Sequence, residues 1–236
     1  MRLFTQPLNM IDRFINAILP ARCLVCRQPA QDGLALCTTC HGRLPHNDTA
    51  CTRCARPLAD AGMVCGHCQQ YPPHYDQAIS ALRYKDEARQ LILGLKFQEK
   101  LRNARLLAKL FHAQLQNNSL PEVMIPVPLH PKRLRERGYN QALELAKELR
   151  KLTDIPVDSQ STRRSRYTER QADTPLKDKK GNVKNAFEIV TRPSASHVVI
   201  IDDVMTSGHT VDEFARALKK AGIDKVDVWV MARAGR

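Results

Sequence analysis

From about residue 77 onward, short apolar runs alternate with segments whose apolar residues recur at helical spacing. The apolar runs predict strands, because they are short and rich in β-branched residues: AISALRY (78–84), VMIPVPL (123–129), HVVII (197–201) and KVDVWVMA (225–232). The periodic segments predict helices: EARQLILGLKF (87–97), RNARLLAKLFHAQLQ (102–116), NQALELAKELRKL (140–152) and VDEFARALKKAG (211–222). Strands that alternate with helices predict an α/β fold with a mostly parallel sheet and flanking helices.

The first 22 residues carry a separate amphipathic pattern. Apolar residues recur at helical spacing between Leu8 and Leu19, with charged and amide residues among them. We therefore predict a helix over residues 1–22 that docks on the protein or a partner, with a membrane surface as the weaker alternative. Because no apolar run has the length of a secretory signal core or a membrane span, we expect a cytoplasmic protein without a transmembrane segment.

All eight cysteines lie between residues 23 and 68, in two matched quartets. Each quartet has the spacing Cys-x2-Cys-x10-Cys-x2-Cys, and the second repeats the first 28 residues later. A Cys-x2-Cys knuckle directs two thiolates toward one point, so two knuckles supply the four sulfur ligands of a tetrahedral zinc site. The predicted zinc ligands are Cys23, Cys26, Cys37, Cys40, Cys51, Cys54, Cys65 and Cys68.

We expect two structural zinc ions, because four thiolates leave an ion no open position for water. Disulfides are disfavoured in a chain without a secretory signal, and a thioredoxin-like redox site needs one knuckle beside a βαβ unit. Sequential pairing within each quartet is the simplest arrangement, and a cross-braced one stays open. The segments between knuckles are too short to bury a core, so metal supplies most of this module's folding free energy.

The composition of the chain indicates its domain boundaries and limits the classes of molecule that it is expected to bind. The proline-containing stretch QQYPPHYD (69–76) reads as a linker, so we predict a helix over 1–22, a double zinc ribbon over 23–70 and the α/β domain over 77–236. The 37 Lys and Arg against 24 Asp and Glu give a formal charge of +13. Such a protein meets polyanions, which include phosphorylated metabolites, nucleic acid and acidic membranes, unless the charge merely solubilises its surface.

Two adjacent aspartates follow the predicted strand HVVII (197–201), and a hydroxyl-rich turn with one glycine follows them. In parallel sheets, ligands bind at the carboxyl ends of strands. The N–H groups of the turn and the dipole of the next helix form a phosphate cradle, and the carboxylates accept hydrogen bonds from sugar hydroxyls or hold Mg²⁺ through water. The order of residues therefore predicts a sugar-phosphate site.

Two other interpretations of an apolar strand ending in two aspartates are weaker. A Walker B strand needs a GxxxxGK[ST] loop, which this sequence lacks. A phosphoacceptor receiver domain needs far more chain beyond its acidic pair than the 33 residues that follow Asp203. A buried strand followed by an ordinary acidic turn explains the aspartates but not the hydroxyls and glycine.

The stretch VVIIDDVMTSGHT (198–210) resembles the phosphoribosyl pyrophosphate (PRPP) motif of type I phosphoribosyltransferases. Together with PVPLHPKRLRERGYNQA (126–142) and the cysteine pairs, it makes nearly the whole chain similar to the ComF/GntX family. This resemblance implies a type I phosphoribosyltransferase-like domain behind a double zinc ribbon, a PRPP or other phosphoribosyl ligand bound with Mg²⁺, and a role in competence or the use of extracellular DNA.

The resemblance also implies residue roles. Asp202 and Asp203 would contact the ribose 2′- and 3′-hydroxyls, and the following loop would wrap the 5′-phosphate with Thr206, Ser207, Gly208, His209 and Thr210. The family more usually has a small residue at position 209, so His209 either points outward or crowds the loop. The loop after the strand MIPVP (124–128) would take the pyrophosphate end.

Two basic segments fit this interpretation. The loop HPKRLRERGYNQ (130–141) follows a strand end and carries cations that suit pyrophosphate: Lys132, Arg133, Arg135 and Arg137. The polar stretch 161–187 predicts a mobile loop. The resemblance places there the flexible catalytic hood, with Arg163, Arg164, Arg166, Thr168 and Gln171. Arg164 and Arg166, with both aspartates, are the predicted catalytic residues. Either segment would also serve as a solvated surface or a nucleic-acid contact.

Two functions follow as hypotheses. A transferase would stabilise the loss of pyrophosphate from PRPP as a nitrogen nucleophile attacks, although the sequence shows no nucleobase pocket and no general base. A nucleic-acid handling protein would bind single-stranded DNA through its cations, with few aromatic residues to stack on bases, and would work with the competence and DNA-uptake machinery.

Overall fold

The computed structural model describes residues 21–30, 33–95, 100–115, 119–166 and 185–235. Most of the predicted N-terminal helix, residues 1–20, lies outside the described residues. Within them no helix is long and apolar enough to cross a membrane.

The elements follow the predicted alternation. The helices are α1 (Thr38–Gly42), α2 (Gly66–Gln70), α3 (Asp86–Leu95), α4 (Lys100–His112), α5 (Pro131–Arg137), α6 (Gln141–Thr153) and α7 (His209–Lys220). The strands are β1 (Gln77–Arg83), β2 (Val123–Pro126), β3 (Thr162–Arg164), β4 (Phe187–Ile189), β5 (His197–Met205) and β6 (Lys225–Arg233). All four strands and all four helices predicted from residue 77 onward are confirmed.

Strands β1, β6, β5 and β2 form, in that order, a sheet in which every pairing is parallel. The central strand β6 is buried from Val226 to Arg233, and β5 is buried from Val198 to Ile201, as expected for strands covered on both faces. Their pairing puts Val198 beside Val226 and Asp202 beside Val230. The predicted parallel α/β sheet is therefore confirmed.

Each face of the sheet packs against its own hydrophobic cluster. On one face α3, α4 and α6 pack around residues such as Phe111 and Trp229, whose ring centroids lie 5.4 Å apart. On the other face α7 and β4 pack together, with the rings of Phe187 and Phe214 at 4.7 Å. Cys23, Cys37 and Cys40 of the first quartet belong to the former cluster and the second quartet to the latter, so the two quartets contact opposite faces of the sheet.

Two segments depart from their predicted form. The basic segment after β2, predicted as a loop, is the helix α5, because Pro131 presets the first turn, His130 caps it and Gly138 ends it with φ 78°. Residues 161–187, predicted as a mobile loop, begin and end in the antiparallel strands β3 and β4, whose pairing satisfies their backbone groups. Residues 167–184 between them lie outside the described residues.

Candidate functional site

The eight cysteines form two groups of four, each from one quartet in sequence. The first group holds Cys23, Cys26, Cys37 and Cys40, and the second holds Cys51, Cys54, Cys65 and Cys68; within each, the sulfur atoms lie within 4.8 Å of one another. All eight are free thiols rather than disulfides. Sequential pairing is therefore the arrangement adopted, and the cross-braced alternative is wrong.

The sulfur geometry fits tetrahedral zinc. A Zn–S bond of about 2.3 Å places the sulfurs of a tetrahedral site roughly 3.8 Å apart. The Sγ atoms of Cys26 and Cys37 lie 3.6 Å apart, and those of Cys54 and Cys65 lie 3.8 Å apart. Backbone N–H groups also donate to the sulfurs of Cys37 and Cys51. Each group therefore supports one structural zinc ion.

The pKa values of the thiols differ within each group, so that before metal binds one cysteine of each group ionises more readily than another. Burial acts to raise the pKa of Cys23 and Cys51, but hydrogen bonds from backbone N–H groups outweigh it and lower these pKa values to about 6 and about 7. Burial raises the pKa of Cys40 and Cys68. Since zinc binds thiolates, metal binding must displace protons from the latter pair.

The two aspartates lie where β5 extends beyond β2. Pairing with β2 ends at Ile201, opposite Pro126, because prolines lack the N–H that would continue the ladder. Pairing with β6 continues through Asp202 to Met205. The strand is thus longer than the predicted 197–201, and Asp202 and Asp203 lie within it, beside an open edge at the carboxyl end of the sheet.

Burial and like charge act together on the Asp202 carboxyl. Burial and the neighbouring charge of Asp203 raise the pKa of Asp202 to about 8, against the opposing influence of Arg164. The Oδ1 atoms of Asp202 and Asp203 each accept a hydrogen bond from the next backbone N–H, both at 2.9 Å. These bonds fix the orientation of both carboxyl groups.

The loop after the aspartates has the geometry of an anion cradle. Thr206 and Ser207 are exposed, Gly208 is half-buried, and none of their N–H groups donates to another described residue. Gly208 has φ 87° and caps α7, a left-handed conformation that favours glycine. His209 and Thr210 are half-buried in the first turn of α7. Unused N–H groups at the N-terminus of a 12-residue helix favour a phosphate.

The β3–β4 hairpin brings one predicted catalytic arginine to the aspartates. Burial lowers the pKa of Arg164, while the charge of Asp202 opposes that shift, and the guanidinium lies 5.4 Å from the centroid of the Phe187 ring. Arg163, on the opposite face of β3, forms a two-bond ion pair with Glu188 of β4. Arg166 is exposed beyond the end of β3. Thr168 and Gln171 lie outside the described residues.

Helix α5 separates the four predicted pyrophosphate ligands into two pairs. Arg133 and Arg137 are four residues apart, share a face and are half-buried. The charge of Arg133 acts on Arg164, and Nη1 of Arg137 donates to Oε1 of Gln141. Lys132 and Arg135 are exposed. The pair of Arg133 and Arg137 therefore shares the aspartate end of the sheet with Arg164.

Three residues of this region escaped the sequence-based prediction. Asn140 caps α6 and donates to the carbonyl of Val127. Its position directly before a helix with periodic apolar residues could have indicated the cap from the sequence. Tyr139 lies close enough to Asp203 for that charge to raise its pKa, after burial as the main cause. Arg233 donates to the carbonyls of Met205 at the end of β5 and of Thr206 in the following loop, and no local sequence pattern marks that role.

The chain matches two family models, the double zinc ribbon domain over residues 14–69 and the phosphoribosyl transferase domain over residues 135–236. It is 36% identical to competence protein F of Haemophilus influenzae, over 61% of this chain and 67% of the relative. It is 32% identical to DNA utilization protein YhgH of Shigella flexneri, over 91% of this chain and 98% of the relative.

Among solved structures, the chain is similar to glutamine PRPP amidotransferase from B. subtilis, with a TM-score of 0.41 and 19% identity, over 61% of this chain and 30% of that chain. The match to DNA utilization protein YhgH extends over nearly the full length of both chains. The chain belongs to the family of competence protein F and DNA utilization protein YhgH, as the resemblance implied.

Proposed function

We propose that the chain binds PRPP, or another phosphoribosyl ligand, at the carboxyl end of β5. The observation that carries the proposal is the run of unused N–H groups at residues 206–208, directly after two oriented carboxylates and at the start of α7. The N–H groups suit the 5′-phosphate, and Asp202 and Asp203 suit the ribose hydroxyls. The predicted roles of Thr206, Ser207, Gly208, His209 and Thr210 belong to this proposal.

Magnesium would accompany such a ligand. Carboxylate oxygens are the ligands that Mg²⁺ prefers, through direct or water-mediated contacts, so Asp202 and Asp203 fit this ion. Bound magnesium supplies charge neutralisation at the pyrophosphate. The half-buried pair Arg133 and Arg137 would bind the pyrophosphate oxygens, because guanidinium groups match phosphate geometry.

The biological role that we propose is the uptake or use of DNA. Two relatives are named for competence and for DNA utilization, and this chain carries a formal charge of +13. Lys132 and Arg135 are exposed on α5, and their charges would bind phosphates of single-stranded DNA without sequence preference. We further propose that the chain works with DNA-uptake machinery in the cytoplasm, where zinc-bound thiols persist without oxidation.

Active phosphoribosyl transfer is the second candidate, and Arg164 favours it. The half-buried guanidinium beside Asp202 lies where it would stabilise charge on departing pyrophosphate. In this reaction the bond from ribose C1′ to pyrophosphate breaks, and a nitrogen nucleophile forms the new bond to C1′. Arg166 would act in the same step. A transferase requires a nitrogen acceptor, whereas a PRPP-binding protein does not.

Calorimetric titration with Mg-PRPP and with single-stranded DNA tests the proposal. The double variant Asp202→Asn/Asp203→Asn should lose PRPP binding and keep DNA binding. Unchanged PRPP affinity in this variant would exclude the aspartates from the site. Release of pyrophosphate when a panel of nucleobases is added with PRPP would establish the transferase.

The two faces of α5 supply matched variants. Arg133→Ala/Arg137→Ala should weaken PRPP binding at least tenfold, while Lys132→Ala/Arg135→Ala should leave it unchanged. The second variant should instead reduce the salt dependence of DNA binding, by about 0.7 in the slope of log K against log salt for each lost contact. Equal effects of the two variants on both ligands would contradict the division of α5 into two binding faces.

A further inference from the structure

Arg233 is an arginine with 3% of its surface exposed that binds backbone carbonyls. Its Nε donates to the carbonyl of Cys54 at 2.9 Å, and its Nη1 donates to the carbonyl of Met205 at 3.0 Å and to those of Thr206 and Ala234. All its hydrogen bonds within the described part of the chain go to carbonyls. A buried guanidinium requires such partners, so these segments are held at fixed positions around it.

The bonds to the loop also set the direction of its N–H groups. In a planar trans peptide unit, the C=O and the following N–H point in opposite directions. Because the carbonyls of Met205 and Thr206 point toward Arg233, the N–H groups of Thr206 and Ser207 point away from it. These are N–H groups without a described partner. Arg233 therefore turns the donors of the cradle toward the open side of the loop.

The same side chain contacts the second four-cysteine group. Cys54, whose carbonyl accepts from Nε, is one of its four sulfur ligands. Tyr75, which is buried with these cysteines and Met205 in one cluster, places its hydroxyl 3.8 Å from the position a Cβ on Gly208 would occupy. The first four-cysteine group packs instead on the opposite face of the sheet.

We propose that Arg233 is a positioning residue for the phosphate loop, and that through it the second four-cysteine site, but not the first, sets the affinity of the loop for phosphate. The proposal rests on the proposed function for its ligand. The orientation of the loop is a property of the ligand-free chain and is tested separately. Zinc at the second site fixes Cys54, Cys54 fixes one side of Arg233, and Arg233 fixes the peptide units after Met205 and Thr206.

The first test uses the full zinc-loaded chain without ligand. Arg233→Lys keeps the charge but loses the fork of donors that spans the three segments. The ¹H–¹⁵N signals of Thr206 and Ser207 should shift and their amide exchange should speed up. The matched control is Arg192→Lys, which removes an arginine that donates to the carbonyl of Gly222 at the far end of α7. It should leave both signals unchanged, and unchanged loop signals in Arg233→Lys would overturn the proposal.

The second test compares the metal sites. Cys68→Ser impairs the second site and should perturb the Thr206 and Ser207 signals, whereas Cys26→Ser impairs the first and should not. Zinc content, measured on the same samples, should fall by about one ion per chain in each variant. Equal perturbation of the loop by both variants would overturn the coupling. If Cys68→Ser does not fold, Arg233→Lys still decides the outcome, because it changes no zinc ligand.

The third test is calorimetry with Mg-PRPP, in which Arg233→Lys should bind at least tenfold more weakly than the parent and Arg192→Lys should bind equally. A parent chain that binds no PRPP while its loop signals respond to Arg233→Lys would refute the proposed ligand and support the positioning role. A parent chain that binds PRPP, with Arg233→Lys binding equally well, would refute the positioning role and leave the proposed function standing.

Discussion

Ionisation of the Asp202 carboxyl has opposite effects on the stability of the fold and on the binding of a ligand. Burial and the charge of Asp203 raise its pKa to about 8 from an ordinary value of 3.8. The folded chain therefore holds the proton more tightly than the unfolded chain does. Between these two pKa values, stability falls as pH rises, because the folded state binds more protons. The carboxylate form, which accepts hydroxyl hydrogen bonds best, is thus the form that the fold favours least.

We predict that Asp202→Asn is more stable than the parent at pH 8 and yet binds Mg-PRPP poorly. The neutral amide removes the cost of ionising a buried acid, so the parent's loss of melting temperature between pH 5 and 8 should flatten in the variant. Thermal unfolding across this pH range measures the effect. Asp224→Asn, at an exposed turn, is the control and should keep the parent's profile. An Asp202 variant with the parent's slope would contradict the raised pKa.

Functional residues could be predicted from the sequence where the neighbouring residues, such as an apolar strand or the start of a helix, indicate their role. Asp202 and Gly208 follow an apolar strand and precede a helix, so position in the chain identified them as candidates. Arg233 was not found, because its role depends on carbonyls of Cys54 and Met205, which are distant from it in sequence. The role of a buried arginine is visible only in its contacts with distant segments of the chain, and a single sequence does not contain those contacts.

Helix α6 begins at a residue that serves two elements. Oδ1 of Asn140 accepts from the N–H of Ala142 at 3.0 Å, and its Nδ2 donates to the carbonyl of Val127 at 3.0 Å. The first bond caps α6. The second bond holds the chain where it leaves β2, beside the aspartates of β5. One amide therefore stabilises a helix and fixes an edge of the candidate site.

We predict that Asn140→Ala loses about 1–2 kcal/mol of stability, since it removes both the cap and the bond to Val127. Asn140→Asp keeps the cap acceptor and loses the donor, so its loss should be clearly smaller. Urea unfolding of the two variants and the parent provides the comparison. Equal destabilisation by the two substitutions would show that the cap contributes nothing measurable.

Elements were predictable in proportion to their length and periodicity. The helices α4 and α6 span 13 residues each, enough for an apolar stripe to recur. Helix α5 has seven residues with exposed Leu134 as its single large apolar side chain, so no stripe exists and its caps alone define it. Strands β3 and β4 have three residues each and pair across a long separation in sequence, which local patterns do not record.

At the scale of the molecule, each cysteine group extends a different hydrophobic cluster of the sheet. The first group adds Cys23 and Cys40 to the cluster of α3, α4 and α6, and all four cysteines of the second group join the cluster of α7. The groups are repeats in sequence but differ in exposure. Cys26 is exposed and Cys37 half-buried in the first group, whereas all members of the second are buried. The matched spacing predicted two equal sites, and tertiary packing makes them unequal.

We predict that a chelator removes the two zinc ions in two phases, the first group releasing its ion faster. Attack on a zinc–thiolate site requires access to a ligand, and Cys26 provides it. Zinc release recorded with a chromogenic chelator should therefore be biphasic, with about one ion per phase. Cys26→Ser should abolish the fast phase and Cys68→Ser the slow one. Loss of the second ion should also lower the melting temperature more, because all four cysteines of the second group are buried, whereas Cys26 of the first group is exposed. A single phase, or a fast phase that survives in Cys26→Ser and disappears in Cys68→Ser, would contradict the burial difference as the controlling factor.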